Sequence, residues 1–184
     1  MAVTETATLE DLARVDGKAE LIGGRIVHLM PTGRLPNRVA FRVARSLDDY
    51  ATSTGVGEAY TDNVAFAVRE LSSGRQSFSP DASYFAGPFP PNPMKFLEGP
   101  PTFAVEVRSE NDYGRAAEEA MASKRADYFE AGTLVVWDVD PLAKCIRSYP
   151  RERPQEPVLF VSGQEADAEP ALPGWRVAVD ALFS

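Results

Sequence analysis

The sequence predicts an α/β domain, and three observations carry that expectation. Residues 102–109 read TFAVEVRS, with Phe103, Val105 and Val107 pointing one way and Ala104, Glu106 and Arg108 the other, which is the period of a strand. Residues 134–139 (LVVWDV) are a near-continuous apolar run, as expected of a strand buried on both faces. Residues 37–51 and 113–131 repeat with helical period. Strands and helices mixed in this way point to α/β, although the pattern alone does not select a topology.

In chain order, Thr8 is placed to cap a short helix over 9–14, with Asp11 as its acidic companion, and Gly17 ends it. Residues 20–27 (ELIGGRIV) read as two short strands joined at a glycine pair, a hairpin signal. Glu20 stands at its entrance. His28 alternates with Ile26 and Met30, the place of an ordinary half-buried polar residue. Residues 31–36 read as a loop, and Asn37 as the cap of the next helix. On that helix Ala40, Val43, Ala44 and Leu47 form the apolar stripe, while Arg38, Arg42 and Arg45 share the opposite side. Those arginines are either a solvated face or a strip facing nucleic-acid phosphates.

Gly55 and Gly57 precede an expected strand over 63–68, and residues 72–74 (SSG) make a turn. Residues 78–85 (FSPDASYF) read as one strand with Pro80 and Asp81 at its start. Residues 87–101 are proline-rich and aperiodic, a long loop. After the strand bearing Glu106 comes the longest helix, 113–131, with Ala117, Ala120, Met121, Tyr128 and Ala131 on one stripe. Lys124 lies in the middle of that stripe. A lysine there either snorkels out along its stem or reaches a buried acceptor. Gly132 stops the helix. Residues 134–139, 145–149 and 158–161 read as strands, 164–169 as an acidic surface loop, and residues 172–175 and 182–183 return apolar weight to the body.

Length and composition bound the rest. A chain of 184 residues, 44% hydrophobic and 25% charged, fits one domain over residues 1–184 with room for a core. No apolar run approaches the roughly 20 residues of a membrane span. The opening MAVTETATLEDL has neither the basic start nor the apolar centre of a signal peptide, so a cytoplasmic location is expected. Cys145 is the only cysteine and His28 the only histidine. That excludes an internal disulfide and cysteine-based zinc sites, and leaves no Ser-His or Cys-His triad that does not use His28. A metal here is expected to be hard and oxygen-bound. The net charge of −8 opposes broad, non-specific binding to a polyanion but leaves room for a local basic groove.

Glu106 in the middle of an apolar strand calls for a partner, because an isolated buried carboxylate is expensive. Arg108 is the nearest candidate, and a metal ion the alternative. Asp81 and Glu106 on neighbouring strands would converge on one point and hold a magnesium ion, which takes oxygen ligands and keeps several waters. Such an ion polarises a phosphoryl oxygen and activates water, and the Lys124 ammonium would add charge beside it.

Pro80-Asp81, a spacer, and Glu106 on a buried strand resemble the PD-(D/E)xK nuclease superfamily. The wider sequence resembles the Uma2 family of restriction-endonuclease-like proteins over nearly its whole length. The segments that carry it are ELIGGRI (20–26), SPDASYF (79–85), GPPTFAVEVRS (99–109), KRADYFEAG (124–132), VVWDVDP (135–141) and LPGWRV (172–177). The resemblance implies a restriction-endonuclease-like fold, a central mixed sheet flanked by helices, and Mg²⁺- or Mn²⁺-dependent cleavage of DNA. It implies that Asp81, Glu106 and the main-chain carbonyl of Val107 hold the metal. Lys124 would be the catalytic lysine, moved from strand to helix, and Glu20 an extra active-site carboxylate. Arg38, Arg42, Arg45 and Arg108 would be candidate DNA contacts, no membrane partner is expected, and a homodimer is left open. The sequence departs from the pattern at Arg108, where the superfamily's lysine would stand. It departs again at 34–37 (RLPN), which lacks a family histidine, and at 108–112 (RSEND). Two rival readings are a nuclease-fold protein that binds nucleic acid or regulates without cutting, and a two-carboxylate glycosidase, which has no use for Lys124.

Overall fold

The computed structural model describes residues 6–184. The chain opens with one turn of helix, α1 (Leu9–Leu12), on which Thr8 and Asp11 cap each other reciprocally. The hairpin follows as β1 (Ala19–Ile22) and β2 (Arg25–His28), with Ile22 opposite Arg25. Gly23 and Gly24 form its two-residue loop at φ +57° and +67°, the left-handed geometry such a turn requires and glycine enters without a Cβ clash.

Helix α2 (Arg34–Thr54) begins at Gly33, not at Asn37 as expected. Pro36 falls within its first turn, where a missing N–H loses nothing because that donor has no intrahelical acceptor. The stripe Ala40, Val43, Ala44 and Leu47 is buried, joined by Val39 and Ala51. The elements β3 (Glu58–Thr61), β4 (Phe66–Ala67), β5 (Ser77–Phe78), β6 (Ala82–Phe85), β7 (Leu97–Glu98) and β8 (Phe103–Val107) lead to helix α3 (Arg115–Ala131). After it come β9 (Val135–Asp140), β10 (Cys145–Pro150), β11 (Val158–Phe160), β12 (Glu165–Ala166), β13 (Val177–Ala178) and helix α4 (Val179–Phe183).

Six strands form the central mixed sheet in the order β11-β10-β9-β8-β6-β3. Strands β8 and β9 are its parallel pair, joined through α3; the other neighbours are antiparallel. On one face α2 and the C-terminal segments cover Phe103, Val105, Trp137 and Ile146. On the other, α3 and the small sheet β5-β4-β7 cover Ala104 and Val136 with Tyr128, Phe66 and Phe78. Strand β8 thus alternates as its sequence predicts, and β9 is buried along its whole length.

Several local expectations are corrected. The strand expected over 63–68 shrinks to β4, while β3 has no counterpart in the sequence reading: its residues are exposed or half-buried, so an edge position leaves little apolar pattern. The single strand expected over 78–85 breaks at Pro80, which has no N–H to offer a ladder; β5 lies in the small sheet and β6 in the large one. The loop 87–101 contains β7, and the acidic segment 164–169 pairs as β12 with β13 while burying Ala166 and Ala168. On α3 the stripe is only partly core. Tyr128 is buried, but Ala120 is exposed and Ala117 and Met121 are half-buried. Among the described residues no helix is long and apolar enough to cross a membrane.

Candidate active site

An open cleft of about 670 Å³ lies between the β1–β2 hairpin, the end of β8 and the first half of α3. Glu20, Asp81, Glu106 and Lys124 all line it. Each is placed by a different piece of local structure. Glu20 is held by the seam between β1 and the start of β5, where Leu21 N–H donates to Ser77 Oγ at 2.8 Å and Gln76 N–H donates to the Leu21 carbonyl at 2.8 Å. Asp81 stands where the chain leaves the small sheet for β6. Its own N–H donates to the Val105 carbonyl, and its Oδ2 accepts the Val107 N–H at 2.8 Å. The Asp81 side chain thereby takes the place of a strand carbonyl beyond the end of β6.

Glu106 projects from β8 on the α3 side. Its Oε1 accepts the Tyr128 hydroxyl at 2.6 Å and lies 2.8 Å from Lys124 Nζ. Lys124 also reaches Glu20 Oε1 at 3.2 Å, so the stripe-breaking lysine joins two carboxylates. Glu20 is further held by the Ser79 N–H at 2.9 Å and by Arg75, whose Nε donates to Asp127 at 2.8 Å. Phe78 stacks on the Tyr128 ring at 4.1 Å between centroids, fixing the phenol that orients Glu106.

The electrostatics follow from this crowding. Burial pushes the Glu106 carboxyl up, Lys124 opposes it, and the charges of Asp81 and Glu20 help leave it above its ordinary value. Burial also pushes Glu20 up, but Lys124, Arg75 and the Ser79 N–H outweigh it and hold the carboxyl below its ordinary value. Burial pulls Lys124 down, and the carboxylates of Glu106 and Glu20 more than reverse this, so it stays an ammonium at neutral pH. Lys124 therefore offers charge and hydrogen bonds, not a proton-accepting amine.

Sequence reasoning missed Lys18, Asp62 and Arg75. Lys18 Nζ lies 2.9 Å from Asp81 Oδ1 and 2.6 Å from Asp62 Oδ1. No local pattern marks these contacts, since the partners are far apart in sequence; only the loop geometry brings them together. Arg108 is not the partner of Glu106. It is buried and grips Asp138 with two parallel bonds of 2.7 and 2.6 Å, while two further donors go to Glu118. Although Arg108 lines the cleft, four of its five N–H donors are committed. None of Arg38, Arg42 and Arg45 is among the cleft-lining residues. Arg42 donates to the Leu182 carbonyl at 3.1 Å and docks the C-terminal helix, whereas Arg38 and Arg45 are exposed. His28 is exposed and also does not line the cleft.

Among the described residues no three His, Cys, Asp or Glu side chains form a metal cage. The site still fits a magnesium-like ion, which is bound through one or two carboxylates and keeps several waters. Glu106 Oε2 receives no hydrogen bond from the described residues. The Val107 N–H points at Asp81, and because a strand residue's N–H and C=O lie on the same edge, its carbonyl opens toward the gap where β6 has ended. Glu20, Asp62, Asp81, Glu106 and Asp127 face Lys18, Arg75 and Lys124. Fully ionised, the cluster carries an excess of two negative charges, which one divalent cation balances. All the candidate ligand atoms are hard oxygens.

Comparison with known proteins places the family and the fold. The family model Uma2, described as "Putative restriction endonuclease", matches residues 6–180. The fold is similar to the crystal structure of a putative nuclease belonging to DUF820 from Anabaena variabilis ATCC 29413, with a TM-score of 0.72 and 18% identity over 96% of this chain and 97% of that one. No curated protein matches the chain.

Proposed function

The chain belongs to the Uma2 family, and from that premise we propose that it is an endonuclease that hydrolyses DNA phosphodiester bonds with Mg²⁺ or Mn²⁺. The observation that carries the reading is the Lys124 ammonium, seated between Glu106 and Glu20 on the wall of an open cleft that also holds Asp81. Asp81 Oδ atoms, Glu106 Oε2 and the Val107 carbonyl would hold the ion. When bound, the ion supplies positive charge to the phosphoryl oxygens and lowers the pKa of water.

The protein's own groups do the rest. Hydrolysis adds water across a P–O bond: the attacking water loses a proton and the departing sugar oxygen gains one. Glu106, its Oε1 fixed by the Tyr128 hydroxyl and Lys124, would hold the ion, and the attacking water's proton passes to solvent in the open cleft. Lys124 directs positive charge at the phosphorus centre, where negative charge accumulates during attack. Glu20, itself held by Arg75, holds Lys124 in place. Arg108 serves the scaffold, so the substitution of arginine for the superfamily's strand lysine leaves the lysine's task with Lys124.

The test is nicking of supercoiled plasmid with Mg²⁺, Mn²⁺ or chelator. Metal-dependent nicking that Asp81→Asn and Glu106→Gln each abolish supports the reading. A wild-type protein that binds DNA and never cuts above the chelator background would move it to the non-cutting, nucleic-acid-binding class.

A further inference from the structure

Lys18 has no part in the family pattern described above, yet it occupies a central position. It sits in the bend before β1, and its stem is covered; the side chain is 15% exposed. Its ammonium touches Asp81 Oδ1 at 2.9 Å and Asp62 Oδ1 at 2.6 Å. Asp62 follows β3 at one edge of the large sheet, so the contact ties the edge strand, the Pro80 break and the hairpin to one point. Lys18 and Asp81 both line the cleft.

A phosphodiester-cleaving site needs positive charge on the attacking and leaving sides of the phosphorus. Two-ion sites supply it with metals roughly 3.5–4 Å apart that share a carboxylate. Here the shared carboxylate, Asp81, already has a cation on one oxygen, and a further carboxylate, Asp62, stands on that cation's far side. The ammonium has three N–H donors; Asp62 and Asp81 take two of them, leaving the third for a phosphate oxygen in the cleft. We infer that Lys18 is the second cation of the site: it fills the position between Asp62 and Asp81 and confines the divalent metal to a single ion beside Glu106. This inference rests on the metal-dependent reading above and adds its stoichiometry.

The geometry sets the consequence of removing it. Both carboxylate oxygens lie within 2.9 Å of the ammonium nitrogen. Closing in by under about 1 Å would bring them to the Mg²⁺–oxygen distance of roughly 2.1 Å. Taking the ammonium away leaves two facing carboxylates with no cation between them.

The experiment is calorimetric titration of the whole protein with Mn²⁺, with unfolding midpoint and circular dichroism read on each variant. The inference expects one equivalent of Mn²⁺ for the wild type and for Lys18→Arg, which keeps a cation in place. It expects a second equivalent for Lys18→Met, lost again in Lys18→Met/Asp62→Asn. Lys18→Gln, which retains polarity without charge, provides the same reading if the methionine variant does not fold. Two equivalents in the wild type would overturn it, as would a folded Lys18→Met or Lys18→Gln that still takes one equivalent or none. A wild type that takes no Mn²⁺ would remove the metal-dependent reading itself, a separate outcome from failure of the stoichiometry.

Discussion

Lys124→Met removes one charge and keeps most of the stem's packing, so its effects on folding and on chemistry can be set against each other. For folding, deleting one partner of a buried ion pair costs about 3–5 kcal/mol when the other is left without compensation. Here neither partner is. Glu20 keeps Arg75 and the Ser79 N–H, and Glu106 keeps the Tyr128 hydroxyl. Glu106, already above its ordinary value, would also take up a proton more readily and relieve the remaining charge. The expected loss is therefore about 1–3 kcal/mol, near that of an unmet hydrogen-bonding group. For chemistry, an electrostatic contributor beside the reacting centre is worth about 10²-fold in rate or more, roughly 2.7 kcal/mol of barrier. The assay is initial nicking rate on supercoiled plasmid at saturating Mg²⁺, with the folded fraction checked by urea unfolding. Lys124→Arg should recover part of the rate, and Mn²⁺ binding should survive in both variants. A folded Lys124→Met that cuts as fast as the wild type would refute the role given to this lysine.

Arg108→Met should behave in the opposite way, losing about 3–5 kcal/mol of stability by urea unfolding because buried Asp138 loses its two-bond partner; a loss of rate without loss of stability would return Arg108 to the chemistry. Replacing exposed Arg38 and Arg45 together by alanine tests their contact with DNA: the slope of log affinity against log salt should become shallower, by roughly 0.9 for each phosphate no longer neutralised, and an unchanged slope leaves them as solvated surface. The pH dependence of stability has two limbs. The Glu20 carboxyl is depressed, so its contribution is present above its ordinary 4.5 and is lost as pH falls through the lower folded value. The ammonium groups of Lys18 and Lys124 are raised, so their contribution is present below their ordinary 10.5 and is lost as pH climbs through the higher folded values. Urea unfolding across pH should show a flatter acid limb in Glu20→Gln, and an acid limb identical to wild type would count against the depressed carboxyl.

The parts of the site that are legible in the sequence are those that break a local rule. Glu106 interrupts an apolar alternation and Lys124 an apolar stripe, and each conflict needs no more than one strand or one helix to be seen. The fold class is legible for a different reason: β8 and α2 carry strong periodic patterns and β9 a near-continuous apolar run. Lys18, Asp62 and Arg75 break no pattern, because a charged residue in a turn is unremarkable until the fold brings distant loops together. Arg108 shows the opposite error. It is close to Glu106 in sequence and on the same strand face, but its guanidinium matches the planar carboxylate of Asp138 across the parallel strand pair, and two-bond recognition wins over proximity. Pro80 reads as a strand start, although the break it enforces also moves the chain from one sheet to another and leaves Asp81 at the gap.

The alanines on the cleft side of α3 have a consequence for how this cleft changes over generations. Ala116, Ala117 and Ala120 form part of its wall without being buried. Side chains there set the aperture of the cleft, and they do so on a helix whose hold on the body comes from Tyr128 and Phe129 farther along. Leucine or glutamine at these positions keeps good helix propensity while narrowing the entrance, so drift in bulk at this wall shifts what the cleft admits and leaves the carboxylates untouched. Access and chemistry can thus diverge separately within one helix.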